Sequence, residues 1–174
     1  MRRLAILLAV TTILITLTSC GYHTLGSSAH LPPGTRTLAI PVFLTRTNSN
    51  RTETVMTSAV VREFATRTRL RIVPNEAGDP DATLHGTILT QTTIPLTYNS
   101  QTQQSSSFLI NITASVTLKS RDGRVLYENK NYTFRQQYQA TTDLPTFLDE
   151  SPAAVDRLSR DFARALVADV LESF

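Results

Sequence analysis

The sequence predicts a two-layer α+β domain: two helices packed on one face of a mixed sheet of four to five strands, in the order β-α-β-β-β-α. Three observations predict it. Residues 51–69 and the stretch from 151 to the end carry apolar residues at helical spacing. A short apolar strand precedes the first of these helices and another follows it, which makes a β-α-β unit with parallel strands and a right-handed crossover. Between the helices lie three runs with two-residue alternation, the pattern of an antiparallel meander.

Ahead of this domain stands a different kind of segment. Arg2 and Arg3 precede an apolar run from Leu4 to Leu17, and Leu17-Thr18-Ser19-Cys20 closes it. A positive start, a short apolar stretch and small residues before a cut site make a secretory signal. The run of 14 residues is shorter than the ~20 that span a bilayer. Leu at −3, small residues at −2 and −1 and Cys at +1 resemble a bacterial lipobox. Cleavage is therefore expected before Cys20, with the thiol receiving a diacylglycerol. Residues 1–19 are then the signal peptide, 20–36 the lipidated N-terminus and linker, and 37–174 the α+β domain. Removing the signal leaves about 155 residues, one domain's worth.

Charge and cysteine content narrow the classes. Arg2 and Arg3 leave with the signal, which takes the formal net charge from +3 to +1 and argues against a nucleic-acid partner. Cys20 is the single cysteine. Once acylated it leaves no thiol for a disulfide, a metal or a nucleophile. A bacterial lipoprotein carries three acyl chains, beyond the two signals that stable anchoring needs. Gly21 stands where an Asp usually retains such proteins in the inner membrane, which favours the outer one.

The elements follow in order. Residues 21–36 are rich in Gly, Ser and Pro without apolar period and read as a linker; its 16 residues reach at most roughly 50 Å. His23 and His30 lie in it as polar linker residues. Thr37–Thr45 reads as the first strand, apolar on both faces, with Pro41 suited to an edge or strand end. Asn50 and Glu53 have the spacing of a helix cap and its N3 acid. In the helix over 51–69, Val55, Met56, Ala59, Val60, Phe64 and Ala65 form the buried stripe, and Arg62, Arg67 and Arg69 the opposite side.

Leu70–Pro74 is the second strand and Ala82–Tyr98 the third, where Gly86 suggests a bulge or a close backbone approach and Pro95 a kink. Residues 99–107 read as an uncharged polar loop. Phe108, Ile110, Ile112, Ala114, Val116 and Leu118 alternate strictly with polar residues, the cleanest strand in the chain. Asp122-Gly123 reverses the chain into a fifth strand from Val125 to Tyr138, with a bulge expected near Asn129-Lys130-Asn131. After an irregular stretch over 140–150, Ser151 and Pro152 open the last helix. Its apolar face is Val155, Leu158, Phe162, Ala165, Leu166 and Val170; Asp156, Arg157, Arg160, Asp161, Arg164 and Asp169 fill the other.

No catalytic motif is present. There is no Gly-x-Ser-x-Gly, no phosphate-binding Gly-rich loop and no His-Glu-x-x-His. His85 stands alone in a strand, Asp79 and Asp81 flank a proline in a turn, and Asp149-Glu150 read as an acidic approach to the last helix. The chain is read as no enzyme, without a metal and without a cofactor other than the covalent lipid on Cys20. The exposed face of the sheet is expected to be rich in Thr, Ser, Gln and Asn, fit to meet another protein or a polar ligand.

Several phrases then resemble a known family: Leu38-Ala39-Ile40-Pro41-Val42-Phe43, Arg67-Thr68-Arg69-Leu70-Arg71-Ile72-Val73, Asp81-Ala82-Thr83-Leu84-His85-Gly86-Thr87-Ile88 and Asp122-Gly123-Arg124-Val125-Leu126-Tyr127, with Cys20-Gly21-Tyr22 at the start. Their order is similar to that of the LPS-assembly lipoprotein LptE family. The resemblance implies an outer-membrane lipoprotein, facing the periplasm, that assembles with and plugs the lumen of the LptD β-barrel for lipopolysaccharide transport. It also implies basic residues that engage lipid A phosphates. No motif places them by correspondence; the candidates here are Lys119, Arg121 and Arg124 around the hairpin turn, with Lys130 nearby, and Asp122 among them weakens that reading. The alternative is another outer-membrane lipoprotein adaptor, a peptidoglycan-synthase activator or a secretion-pore component. The short linker favours the LptE reading over the first of these.

Overall fold

Two-residue alternation builds the sheet, and helical apolar stripes cover it. The computed structural model describes residues 31–47, 51–98, 105–139 and 151–171. Strands β1 (Thr37–Ala39), β2 (Leu44–Thr45), β3 (Arg71–Val73), β4 (Ala82–Tyr98), β5 (Ser105–Ser120) and β6 (Val125–Gln139) form one mixed sheet with helices α1 (Thr52–Arg67) and α2 (Ser151–Leu171). Cys20, the linker histidines, most of the polar stretch after Tyr98 and the connection over 140–150 lie outside the described residues.

The sheet order is β3-β1-β4-β5-β6, with β2 on β4 as well. β1 is parallel to both β3 and β4, with Leu38 level with Ile72 and Ala82. The expected parallel β-α-β pair is therefore β1-α1-β3. β4, β5 and β6 form the expected antiparallel meander.

The sheet has six strands rather than four to five, because the first predicted strand divides. Ile40 still donates to the Val73 carbonyl at 2.9 Å. Pro41 has no N–H to continue that ladder. The chain leaves β3 there, and the Phe43 N–H bonds the Thr57 hydroxyl on α1 instead, at 3.0 Å. It rejoins the sheet as β2, parallel to β4 with Leu44 level with Thr87. A second difference lies at the polar loop, since Ser105–Ser107 already belong to β5.

On β5, Ile110, Ile112, Ala114, Val116 and Leu118 are buried as their alternation requires. Helix α1 buries Met56, Ala59, Val60 and Phe64, and Ala65 is exposed. Thr57 is buried in its place because its hydroxyl is satisfied twice: it accepts from Phe43 and donates to the Glu53 carbonyl. The helix starts after Arg51, which takes the left-handed conformation (φ 60°) and makes no side-chain cap bond. The expected cap, Asn50, lies outside the described residues.

Helix α2 buries Val155, Leu158, Phe162, Leu166 and Val170, together with Ala154, Ala163 and Val167. Phe162 is the hub of the core. Its ring meets those of Phe43, Tyr132 and Phe134 edge to face, with centroids 6.1, 5.7 and 5.6 Å away. The helix thus locks the first loop and the last strand to one point. The bulge in β6 is present: Ala114 pairs with Tyr132 and Val116 with Asn129, so one extra residue stands on β6.

Candidate functional site

The sheet end that holds the β5–β6 turn gathers charge. Val125 lies opposite Lys119, and the Ser120 N–H donates to the Arg124 carbonyl at 2.9 Å. Gly123, at φ 84°, makes the reversal possible and donates to the Ser120 carbonyl. The turn therefore places Lys119, Arg121 and Arg124 on neighbouring strand ends. Lys130 sits further along β6, at the bulge.

The four cations are not equivalent. Arg121 reaches across to the start of β4, with Nη2 2.7 Å from Asp81 Oδ1 and Nε 3.2 Å from Asp79 Oδ2. It also donates to the Asp79 carbonyl at 2.9 Å, and its backbone N–H to the Asp81 carbonyl at 3.0 Å. Lys130 Nζ lies 3.2 Å from Glu128. For Lys119 and Arg124, no ion pair is found among the described residues. Arg124 lies close enough to Asp122 to help hold that carboxyl below its ordinary value, behind the larger effects of the Ser120 hydroxyl and the Arg124 backbone N–H. All four are exposed, and side-chain pairing separates them into two in ion pairs, Arg121 and Lys130, and two without one among the described residues.

Asp81 is the fixed point of this end. Its Oδ2 accepts from the backbone N–H groups of Arg36 and Thr37 and from the Thr37 hydroxyl, each at 2.9 Å. Those bonds, with Arg121 adding its charge, lower its pKa from 3.8 to about 2. One carboxylate therefore ties the start of β1 to β4 and to the β5–β6 turn. The sequence placed Asp79 and Asp81 in a turn and left their common partner unseen, because Arg121 is 40 residues away from Asp81 along the chain.

A second polar cluster was hidden for the same reason. The Tyr132 and Tyr127 hydroxyls both lie within hydrogen-bond reach of Asp169 Oδ2, Tyr127 at 3.2 Å, and of each other, and their two protons serve two of these three contacts at a time. Burial and then the carboxylate beside it push the Tyr132 hydroxyl pKa up. The helical pattern puts Asp169 on the face away from the apolar stripe; it meets β6 because two strand tyrosines present donors there.

The remaining polar groups do not converge as a reaction centre. His85 faces Glu76 across 3.3 Å, and both are exposed. Among the described residues, no three His, Cys, Asp or Glu side chains are grouped as metal ligands. A groove of about 170 Å³ between α1 and α2 is lined by Ala59, Arg62, Glu63, Arg160, Ala163 and Arg164. Arg160 and Arg164 are committed there to Asp156 and Asp161 on their own helix. The sheet face away from the helices carries threonines in ladder register, such as Thr87, Thr90 and Thr113, and the Thr113 and Thr133 hydroxyls bond across it at 3.2 Å.

Comparison with known proteins adds the context. The family profile LptE, described as lipopolysaccharide-assembly, matches residues 35–170. No curated protein matches the sequence. Among solved structures, lipoprotein B from Nitrosomonas europaea aligns at a TM-score of 0.56 and 15% identity, over 87% of this chain and 90% of that one. The rare lipoprotein B from Shewanella oneidensis aligns at 0.52 and 11%, over 77% and 92%. A Xanthomonas campestris protein aligns at 0.51 and 15%, over 81% and 89%. At these identities the structures share the fold.

Proposed function

The chain belongs to the LptE family of lipopolysaccharide-assembly proteins, and from that premise we propose that it is an outer-membrane lipoprotein that assembles with and plugs an LptD-type β-barrel. The family match, which spans nearly all of the folded domain, carries this reading. Acylation at Cys20 anchors the chain, facing the periplasm, and the short linker keeps the domain near the barrel mouth. The domain acts by fit rather than by chemistry. A wedge with one continuous apolar core holds its shape, and its hydroxyl-rich sheet face suits a wet lumen.

Lipopolysaccharide enters this reading at the β5–β6 turn. An anionic phosphate is best met by cations with no carboxylate to give up, since breaking an existing pair costs part of what the new one returns. Lys119 fits that description best, and Arg124, in no ion pair among the described residues but near Asp122, comes next. Arg121 is instead the brace that holds the turn to Asp81, and Lys130 is shared with Glu128.

Affinity purification of the tagged protein from detergent-solubilised membranes tests the reading, followed by identification of what stays bound. An LptD-like barrel is the expected partner. A peptidoglycan synthase in its place, with no barrel, overturns the proposal. Cys20→Ala is expected to abolish processing and acylation; a variant that is still processed and acylated overturns the lipid anchor.

A further inference from the structure

Among the described residues, one edge of β4 is occupied only in part. β1 and β2 cover it as far as Ile88, whose carbonyl accepts from the Arg46 N–H at 3.0 Å. Beyond that point β4 continues to Tyr98 with β5 on its other side. Among the described residues, no strand pairs with the first edge over Thr90–Leu96. An open edge presents main-chain N–H and C=O groups ready for another strand.

The usual protections are thin here. Natural edges are blunted by lysines, bulges or proline. From Ala82 to Tyr98 there is no Lys, Arg, Asp or Glu. Register breaks fall between Ile88 and Thr90 and between Pro95 and Thr97. They bracket an uncharged, regularly paired window, Thr90–Ile94. At its end Ile94 and Leu96 are 49% and 45% exposed. Ile94 pairs with Leu109 on β5, which gives the edge an apolar seat.

We propose that the Thr90–Ile94 edge of β4 takes up a short, uncharged extended segment of the β-barrel partner as an added strand. This rests on the barrel reading given above and specifies its surface. The same edge already takes two short parallel segments, β1 and β2, so an incoming strand continues their line. Pro95 argues against a second copy of this chain as occupant. In an antiparallel β4–β4 pair centred on Thr92, Pro95 falls opposite Leu89 at both ends, so two missing donors flank the pairing where a partner segment without proline meets at most one. A short segment stops before Pro95. A closed barrel wall has no free edge of its own, so the segment comes from a lumen-facing loop in extended form. An apolar side chain on that segment lies over Ile94 and Leu109, where an ion is excluded.

Hydrogen exchange of the full-length lipoprotein, alone and in the co-purified barrel complex, tests this. Added protection in the complex alone is expected for the outward-facing amides of Thr90–Ile94, every second residue, since β5 already holds the others. Ile94→Lys, at an exposed position, is expected to keep the fold by circular dichroism and to reduce barrel recovery roughly tenfold. Ala65→Lys, at an exposed position on α1, leaves recovery unchanged. If the wild-type protein recovers no barrel, the functional reading fails and the edge proposal with it. If barrel is recovered but these amides exchange equally fast in both states, the edge proposal alone is overturned. Protection of the same amides in the lipoprotein by itself at high concentration also overturns it, in favour of self-association.

Discussion

Gly86→Ala tests how the first loop is held to the sheet. Gly86 does not have a positive φ, so its backbone suits any residue. What it lacks is room. A Cβ there stands 2.5 Å from Cδ2 and Cε2 of Phe43 and 2.6 Å from Cδ1. The obstacle is a ring, not the free end of a flexible chain. The ring has little freedom to retreat: Phe43 is 2% exposed, its edge-to-face partner is Phe162, and its backbone N–H is bonded to Thr57. Forcing extra volume into such a site costs about 1–3 kcal/mol. Ala gains back roughly 0.5–1 kcal/mol over Gly in a strand interior. The net loss is therefore centred on about 1 kcal/mol, with an upper end of about 2.5, and each kcal/mol lowers the melting temperature by roughly 2–4 °C for a domain of this size. Thermal unfolding followed by circular dichroism measures it. In a Phe43→Leu background the obstructing ring is gone, and the penalty of Gly86→Ala is expected to shrink, with a coupling of at least about 0.5 kcal/mol. A Gly86→Ala protein that melts with wild type, or that loses as much in the Phe43→Leu background, refutes the reasoning.

Other predictions follow from the two polar clusters. Asp81 has a pKa lowered from 3.8 to about 2 in the fold, so the stability it contributes is present above pH 3.8 and is lost as pH falls from there through about 2. Melting temperature against pH is expected to drop across that window in wild type and to be flatter there in Asp81→Asn. Tyr132→Phe removes a hydroxyl bond to a carboxylate while Tyr127 stays on it; a loss of about 1–2 kcal/mol by urea unfolding is expected, and Tyr127→Phe should lose less. Lys119→Glu with Arg124→Glu is expected to leave stability within about 0.5 kcal/mol and to weaken binding of lipopolysaccharide vesicles. Arg121→Ala should instead lower the melting temperature, as the brace to Asp79 and Asp81 is lost.

Periodicity carried the fold where it was strong. The alternation from Phe108 to Leu118 and the stripes on both helices were legible because burial repeats at the period of the backbone itself. Even the bulge in β6 could be read, since Asn129-Lys130-Asn131 interrupts an apolar phase. What went unread had no local period. The break at Pro41 splits one strand into two because the Phe43 N–H found a helix threonine. Thr57 counts as core only once that distant donor is known.

The candidate site divides in the same way. Composition and position singled out Lys119, Arg121, Arg124 and Lys130 together, and the sequence had no means to rank them. By itself it determined the α+β class, the order of elements, the cationic hairpin turn and the family. Tertiary structure alone decided that Arg121 belongs to Asp81, that Asp169 belongs to two tyrosines, and that β4 outruns β1 and β2, with no strand on that edge past Ile88 among the described residues. The reason is physical. Local patterns encode which groups must leave water, whereas charge pairing and edge exposure depend on which distant segments arrive at the same place.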